Sequence, residues 1–258
     1  MPRVFSTPGA QRIFMNTGID SNAYPSVFVL VRHGQSARNA LKQGKLEVPD
    51  TPEARRLGKL HDYQIPLSPL GERQAAAVGA FLRSWSLSFD KCYDSGYQRA
   101  QDTRRIALER AYPPEKVATM AVRSELLLRE REAGILHNMT AGDVVANPLL
   151  GCWVDEFKRN PFQTKYLGGE SLADVVDRVR HFRDWVSDRH PGERILVFCH
   201  DLVMKAFRIV LLHYDIGAAL ELALASPIPN CGVHIYRRAS TGWVFEEYAP
   251  AAGVVAPS

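Results

Sequence analysis

Val27-Phe28-Val29-Leu30-Val31-Arg32-His33-Gly34-Gln35-Ser36-Ala37-Arg38-Asn39 is the stretch from which the rest of the chain can be read. Its five leading apolar, mostly β-branched residues predict a strand buried on both faces, and Gly34 and Ser36 end it at once. Arg32 and His33 emerge at the break. In an open α/β sheet, ligands bind in the crevice beyond the carboxyl ends of the parallel strands. A cation and an imidazole therefore arrive together where such folds do chemistry.

Working outward, a second strand is expected over Phe89 to Asp94, and a third fully apolar one over Ile195 to Cys199 that also ends in a histidine, His200. Ser68 is a good N-cap and Pro69 suits the first helical position, so a helix is expected from there to about Trp85. Further helices are expected from Gln98 through Arg110, from Ser171 to the stop signal His190-Pro191-Gly192, and from Leu202 to His213. Val117 to Val122 reads as a short strand, and Gly232 to Arg237 with Trp243 to Tyr248 as a closing hairpin. The polar segment from Lys42 to Gln64 reads as a long loop with at most a helical turn or two, whose cations, Lys42, Lys45, Arg55, Arg56 and Lys59, form a solvated face or a substrate-facing one. Residues 135–168, irregular and rich in aromatics, read as a cap inserted over the sheet. The alternation predicts an α/β fold with a mainly parallel central sheet flanked by helices. Residues 1–25 would be a flexible arm, 26–250 a single domain containing the cap, and 251–258 a tail.

The 258 residues, 46% hydrophobic and 23% charged, suit an ordinary globular protein with a sizeable core. A net charge of +4 is too small and dispersed to argue for nucleic acid, and it suits an anionic small molecule. The four cysteines, Cys92, Cys152, Cys199 and Cys231, form no CxxC pair or metal-ligand spacing, so free thiols are expected. Residues 1–25 carry no apolar core of a secretory signal, and no apolar run reaches the ~18 residues that span a bilayer. A cytoplasmic protein with neither a membrane nor a nucleic-acid partner is the expectation.

Parallel topology would set the ends of the three strands side by side. His33, His200, Arg32, Asp94-Ser95 and Arg99 would then converge. Clustered cations repel unless an anion sits among them, and phosphate fits because arginine forks match its oxygens two at a time. A metal would compete for the histidine pair, but metal sites call for carboxylates or thiolates rather than two arginines. A neutral imidazole can attack phosphorus while flanking cations stabilise the equatorial oxygens. The leaving alcohol then needs a proton donor, and Glu130 and Glu132 are both candidates.

Taken together, these motifs resemble the histidine phosphatase superfamily, the phosphoglycerate mutase-like fold, over roughly residues 27–238. Leu30 to Ser36 with Asn39 is similar to the family signature, and Ser95-x-x-x-Arg99-Ala100-x-Asp102-Thr103 to its second arginine motif, with Asp102 where glutamine is common. Leu128-x-Glu130-x-x-x-Gly134 resembles the acid-bearing motif and selects Glu130. Gly168-Gly169-Glu170-Ser171 with Arg178 resembles a structural segment, and Val197-Phe198-Cys199-His200 the second histidine strand. The resemblance implies that His33 becomes phosphorylated and that Glu130 protonates the leaving oxygen and then deprotonates water. Arg32, Arg99 and His200 would hold the phosphoryl oxygens, with Asn39 adding a hydrogen bond, and no metal or organic cofactor would be needed.

Two departures stand out. Asp201 replaces a common glycine after His200 and is expected to point away from the phosphate, and Ala133 stands where mutases carry an aromatic residue. The Lys42 to Gln64 segment looks more like a broad-range phosphatase subgroup than like the glycolytic mutases. The implied activity is a histidine acid phosphatase-like hydrolysis of phosphoric monoesters, on a phosphorylated small molecule or a phosphoprotein. A phosphomutase is the alternative, followed by a non-catalytic phosphate-binding module.

Overall fold

The computed structural model describes residues 24–42, 49, 51–85, 88–137, 139 and 141–254. The expected arm lies, through residue 23, outside them, as do Lys45 and residues 255–258. The opening stretch forms strand β1, Val27–Arg32, followed by helix α1, Ala37–Lys42. Next come α2, Pro52–Gly58, a 3-10 turn at Asp62–Gln64, and α3, Pro69–Ser84. Strand β2, Lys91–Asp94, leads into α4, Gln98–Ala111, then α5, Pro114–Thr119, and β3, Val122–Ser124. After α6, Ala141–Ala146, and α7, Pro148–Arg159, the long α8, Leu172–Arg189, precedes β4, Arg194–Cys199. Helices α9, Asp201–Leu211, and α10, Ile216–Leu224, and the hairpin β5, Val233–Ala239, and β6, Gly242–Tyr248, complete the chain.

Among the described residues the strands make one six-stranded sheet ordered β3-β2-β4-β1-β5-β6. β3, β2, β4 and β1 run parallel, while β5 and β6 add an antiparallel edge. Alternation along β1 separates two cores. Phe28 and Leu30 pack with residues of α8 and α9 on one face, whereas Val27, Val29 and Val31 pack with α3 and α4 on the other. The continuous apolar run is thus a strand covered on both sides, each large side chain contributing about 1.5–3 kcal/mol. Cys92, Cys199 and Cys231 are buried, Cys152 is exposed, and all four are free.

Local chemistry accounts for most boundaries. The Ser68 hydroxyl accepts from the Gly71 N–H and Pro69 takes the first turn of α3; Ser171 and Asp174 form a capping box on α8. Two expectations need correction. Val117 to Val122 is not a strand: Pro114 starts α5 and draws Val117 into it, leaving β3 at Val122–Ser124. Residues 135–168 are not irregular either. Asn147 caps α7, accepting from Leu149 N–H, and Leu150 and Val154 bury one face of that helix. Helix α10, capped by Asp215, has no counterpart in the sequence reading. Among the described residues no helix is long and apolar enough to cross a membrane.

Candidate active site

Register sets the site. Arg32 pairs with Cys199 across β1 and β4, so His33 and His200 are the next residues on neighbouring strands, and the His33 N–H donates to the Cys199 carbonyl at 3.0 Å. Asp94 pairs with Phe198, which brings Ser95 to the same edge. The two imidazole rings lie 5.1 Å apart between centroids.

The loop carrying His33 is pressed onto the first turn of α3. A Cβ on Gly34 would lie 2.4 Å from the Gly71 carbonyl oxygen, and one on Gly71 would lie 2.1 Å from that of Gln35. Only glycine permits this approach. The Gln35 carbonyl accepts from Ser68 N–H at 2.8 Å, and Gly34 N–H donates to the Thr103 hydroxyl at 3.0 Å. The opposite side is clamped by the loop before β5. Arg32 donates to the Ile228 carbonyl, and Asn230 donates its side-chain amide to the His33 carbonyl at 3.0 Å.

His33 Nδ1 is 2.7 Å from the Gly34 carbonyl, which can only accept, so Nδ1 carries the proton and Nε2 the lone pair. Burial, then Arg99 and Arg32, push the His33 pKa well below the ordinary imidazole value. The ring is held neutral. His200 is lowered likewise, by burial and then Arg99 and His33; its Nε2 meets the Ser95 hydroxyl at 2.8 Å.

Glu130 joins them. Its Oε2 is 3.7 Å from His200 Nδ1, and one side-chain atom each of His33, His200 and Glu130 lie within 4.8 Å of one another. Burial pushes the Glu130 pKa above the usual carboxylate value, and Asp201 and Asp62 add to the rise against Arg99 and the Arg131 N–H. The loop that carries Glu130 is held by Glu170, which binds Arg129 at 2.6 Å, Arg178 at 3.0 Å and the Glu132 N–H at 3.1 Å. Gly134, at φ +55°, lets this loop cross residues 167–169, where a Cβ would meet the Leu167 carbonyl at 2.2 Å. Glu132 lines the same cavity, with its carboxylate 3.7 Å from Arg129 and 3.4 Å from the Tyr97 hydroxyl.

Arg32, Arg99, Asn39 and Ser36 line the same cavity of about 320 Å³ as His33 and Glu130. Asn39 Oδ1 accepts from the Ser36 N–H at 3.3 Å. Two imidazoles and a carboxylate are also a donor set for a metal. The guanidiniums of Arg32 and Arg99, however, make the local field one that attracts an anion.

The sequence reading did not identify Asp62. Its Oδ2 accepts from Arg99 at 2.8 Å, its Oδ1 from Arg38 at 3.0 Å, and its backbone carbonyl from Arg99 at 2.6 Å. Only the polar character of the 42–64 segment hinted at it. Of that segment's cations, Lys42 enters the cavity, whereas Arg55, Arg56 and Lys59 are exposed. The Asp201 carboxylate lies at the cavity wall with its oxygens engaged elsewhere. Oδ1 accepts from the Ile228 N–H at 2.7 Å and Oδ2 is 3.6 Å from Lys205, so it braces the loop that holds Arg32.

Residues 28–250 match the sequence model of the histidine phosphatase superfamily, branch 1. The chain is 30% identical over 210 residues to a 2,3-bisphosphoglycerate-dependent phosphoglycerate mutase of Rhizobium etli, covering 78% of this chain and 86% of that protein. It is 30% identical over 194 residues to phosphoserine phosphatase 1 of Hydrogenobacter thermophilus, covering 73% and 77%. In fold it is similar to a mycobacterial glucosyl-3-phosphoglycerate phosphatase, with a TM-score of 0.61 at 19% identity over 87% of this chain and 98% of that one.

Proposed function

The chain belongs to the histidine phosphatase superfamily, and from that premise we propose that it is a metal-independent phosphomonoesterase working through a phosphohistidine on His33. One observation carries this reading: a neutral imidazole with Nε2 free and a carboxyl group of raised pKa share one anion-attracting pocket. These are the protonation states that nucleophilic attack and leaving-group protonation require.

His33 Nε2 attacks phosphorus as the bond to the ester oxygen breaks, and the Glu130 proton passes to that oxygen. Nδ1 keeps its proton on the Gly34 carbonyl, which orients the ring and shares the positive charge of the phosphoimidazolium. Arg32, Arg99 and His200 would hold the phosphoryl oxygens, with Asn39 adding a hydrogen bond. The Glu130 carboxylate then takes a proton from water, whose oxygen attacks phosphorus as the P–N bond breaks. Inorganic phosphate leaves, and neutral His33 and protonated Glu130 are restored. Ala133, in place of an aromatic residue beside the acid loop, favours hydrolysis over transfer back to substrate.

Rapid quench of the protein during turnover of an aryl phosphate, with chelator present, tests the reading. An acid-labile, base-stable phosphoryl group is expected on wild type and absent from His33→Ala. Turnover that appears only after a bisphosphate is added would replace the hydrolase with a mutase.

A further inference from the structure

Two of the cations that line the cavity of the phosphoryl machinery have no task in the proposed reaction. Lys42, at the end of α1, and Arg131, next to Glu130, both line this cavity. Among the described residues Lys42 has no hydrogen-bond or ion-pair partner. Burial presses its pKa down, Arg38 and Arg131 press it further as like charges, and Asp62 and Glu130 oppose them. Asp62 is one carboxylate already shared between Arg38 and Arg99. Arg131 donates to the Glu170 carbonyl at 3.0 Å and lies 4.6 Å above the Phe157 ring; burial presses its pKa down, and Glu130, Tyr166 and Glu170 oppose that. Two neighbouring cations facing one cavity are a cost that an anion between them relieves.

The same cavity also has an apolar lining, made by Leu136, Met139, Val144 and Val154 with Leu202 and Pro227. At about 320 Å³ the cavity has the size of a small-molecule site, with room beyond a phosphoryl group. We propose that Lys42 and Arg131 form a second anion subsite, so that the substrate is a phosphate monoester bearing a further anionic group on an apolar body. This rests on the phosphoryl site assigned above as its first anchor. Either a carboxylate or a second phosphate has the required chemistry.

Non-hydrolysable ligands test the subsite without turnover. Calorimetric titration of the full chain would compare phenylphosphonate with 3- and 4-carboxyphenylphosphonate and with benzene-1,4-diphosphonate. At least one doubly anionic ligand is expected to bind about tenfold or more tighter than phenylphosphonate. Lys42→Met is expected to shrink that ratio to within about threefold, and Lys42→Arg to restore it. The better of carboxylate and phosphonate identifies the second group. Equal affinities in wild type, or a preference that survives Lys42→Met, would overturn the subsite. Phenyl phosphate hydrolysis, read in parallel, keeps the two readings apart. Turnover without the preference removes the subsite alone, whereas the preference without turnover supports the subsite and removes the phosphatase reading.

Discussion

Replacing Glu130 by glutamine removes one ionisable proton and little else, because an amide oxygen can still accept the Arg131 N–H that now reaches Oε1 at 2.9 Å. Burial, aided by Asp201 and Asp62, raises the Glu130 pKa, while burial together with Arg99 and Arg32 lowers that of His33. In wild type, kcat/KM should fall on the acid side as His33 becomes protonated, below the ordinary imidazole range. It should fall on the alkaline side as Glu130 loses its proton, above the ordinary carboxylate range. Glu130→Gln should abolish the alkaline limb and keep the acid one.

For an alkyl phosphate, whose leaving oxygen needs the proton, the expected loss is about 10²–10⁴-fold, or about 3–5 kcal/mol of transition-state stabilisation. 4-Nitrophenyl phosphate can leave unprotonated, so phosphorylation of His33 should survive while hydrolysis of the phosphohistidine loses its base. Stopped-flow absorbance should then show a burst of one nitrophenol per protein followed by slow turnover. Folding provides a control. A carboxyl group with a raised folded-state pKa contributes stability below its unfolded pKa that is lost as pH rises through the folded value. Neutral glutamine should therefore leave Tm near pH 7 unchanged or higher. An alkyl ester rate within threefold of wild type, or equal losses on both esters without a burst, would refute the role assigned to Glu130.

Gly71→Ala would ordinarily stabilise a helix by about 1 kcal/mol, but the 2.1 Å contact with the Gln35 carbonyl should win and destabilise the fold by about 1–3 kcal/mol in urea denaturation; a gain would deny the close approach. Asp62→Ala leaves Arg38 and the nearly buried Arg99 without their shared carboxylate, which should cost about 2–3 kcal/mol at neutral pH, and inorganic phosphate should raise the variant's Tm more than the wild type's. Burial raises the Asp62 pKa, but Arg99 and Arg38 outweigh it and hold the value below 3.8. Its stabilisation is thus present above the unfolded carboxylate pKa and lost as pH falls through the lowered one, so thermal melts of variant and wild type should converge near the acid limit.

Apolar runs, breakers and caps are local, and local chemistry is what a sequence states directly. That is why β1 ending at Arg32-His33, β4 ending at His200, and the Ser68-Pro69 start of α3 are legible in the sequence. Where two local signals conflict, the sequence misleads. A β-branched Val117 lost to Pro114 in α5, and the aromatics of α7 obscured its Asn147-Pro148 start. Parallel pairing made the convergence of His33, His200 and Arg99 readable as well, since strand ends in such a sheet share one edge. Asp62 was out of reach of this reasoning: it meets Arg99, 37 residues away, through a turn that no pattern orients. The same holds for Glu170, which fixes the Glu130 loop from 41 residues beyond Arg129. Protonation states also belong to the tertiary structure, because only burial beside particular charges moves a histidine down and a glutamate up. Strand and turn signals set which groups stand at the sheet edge; packing sets which of them are charged, because the free energy of a charge depends on the surroundings that the fold assembles around it.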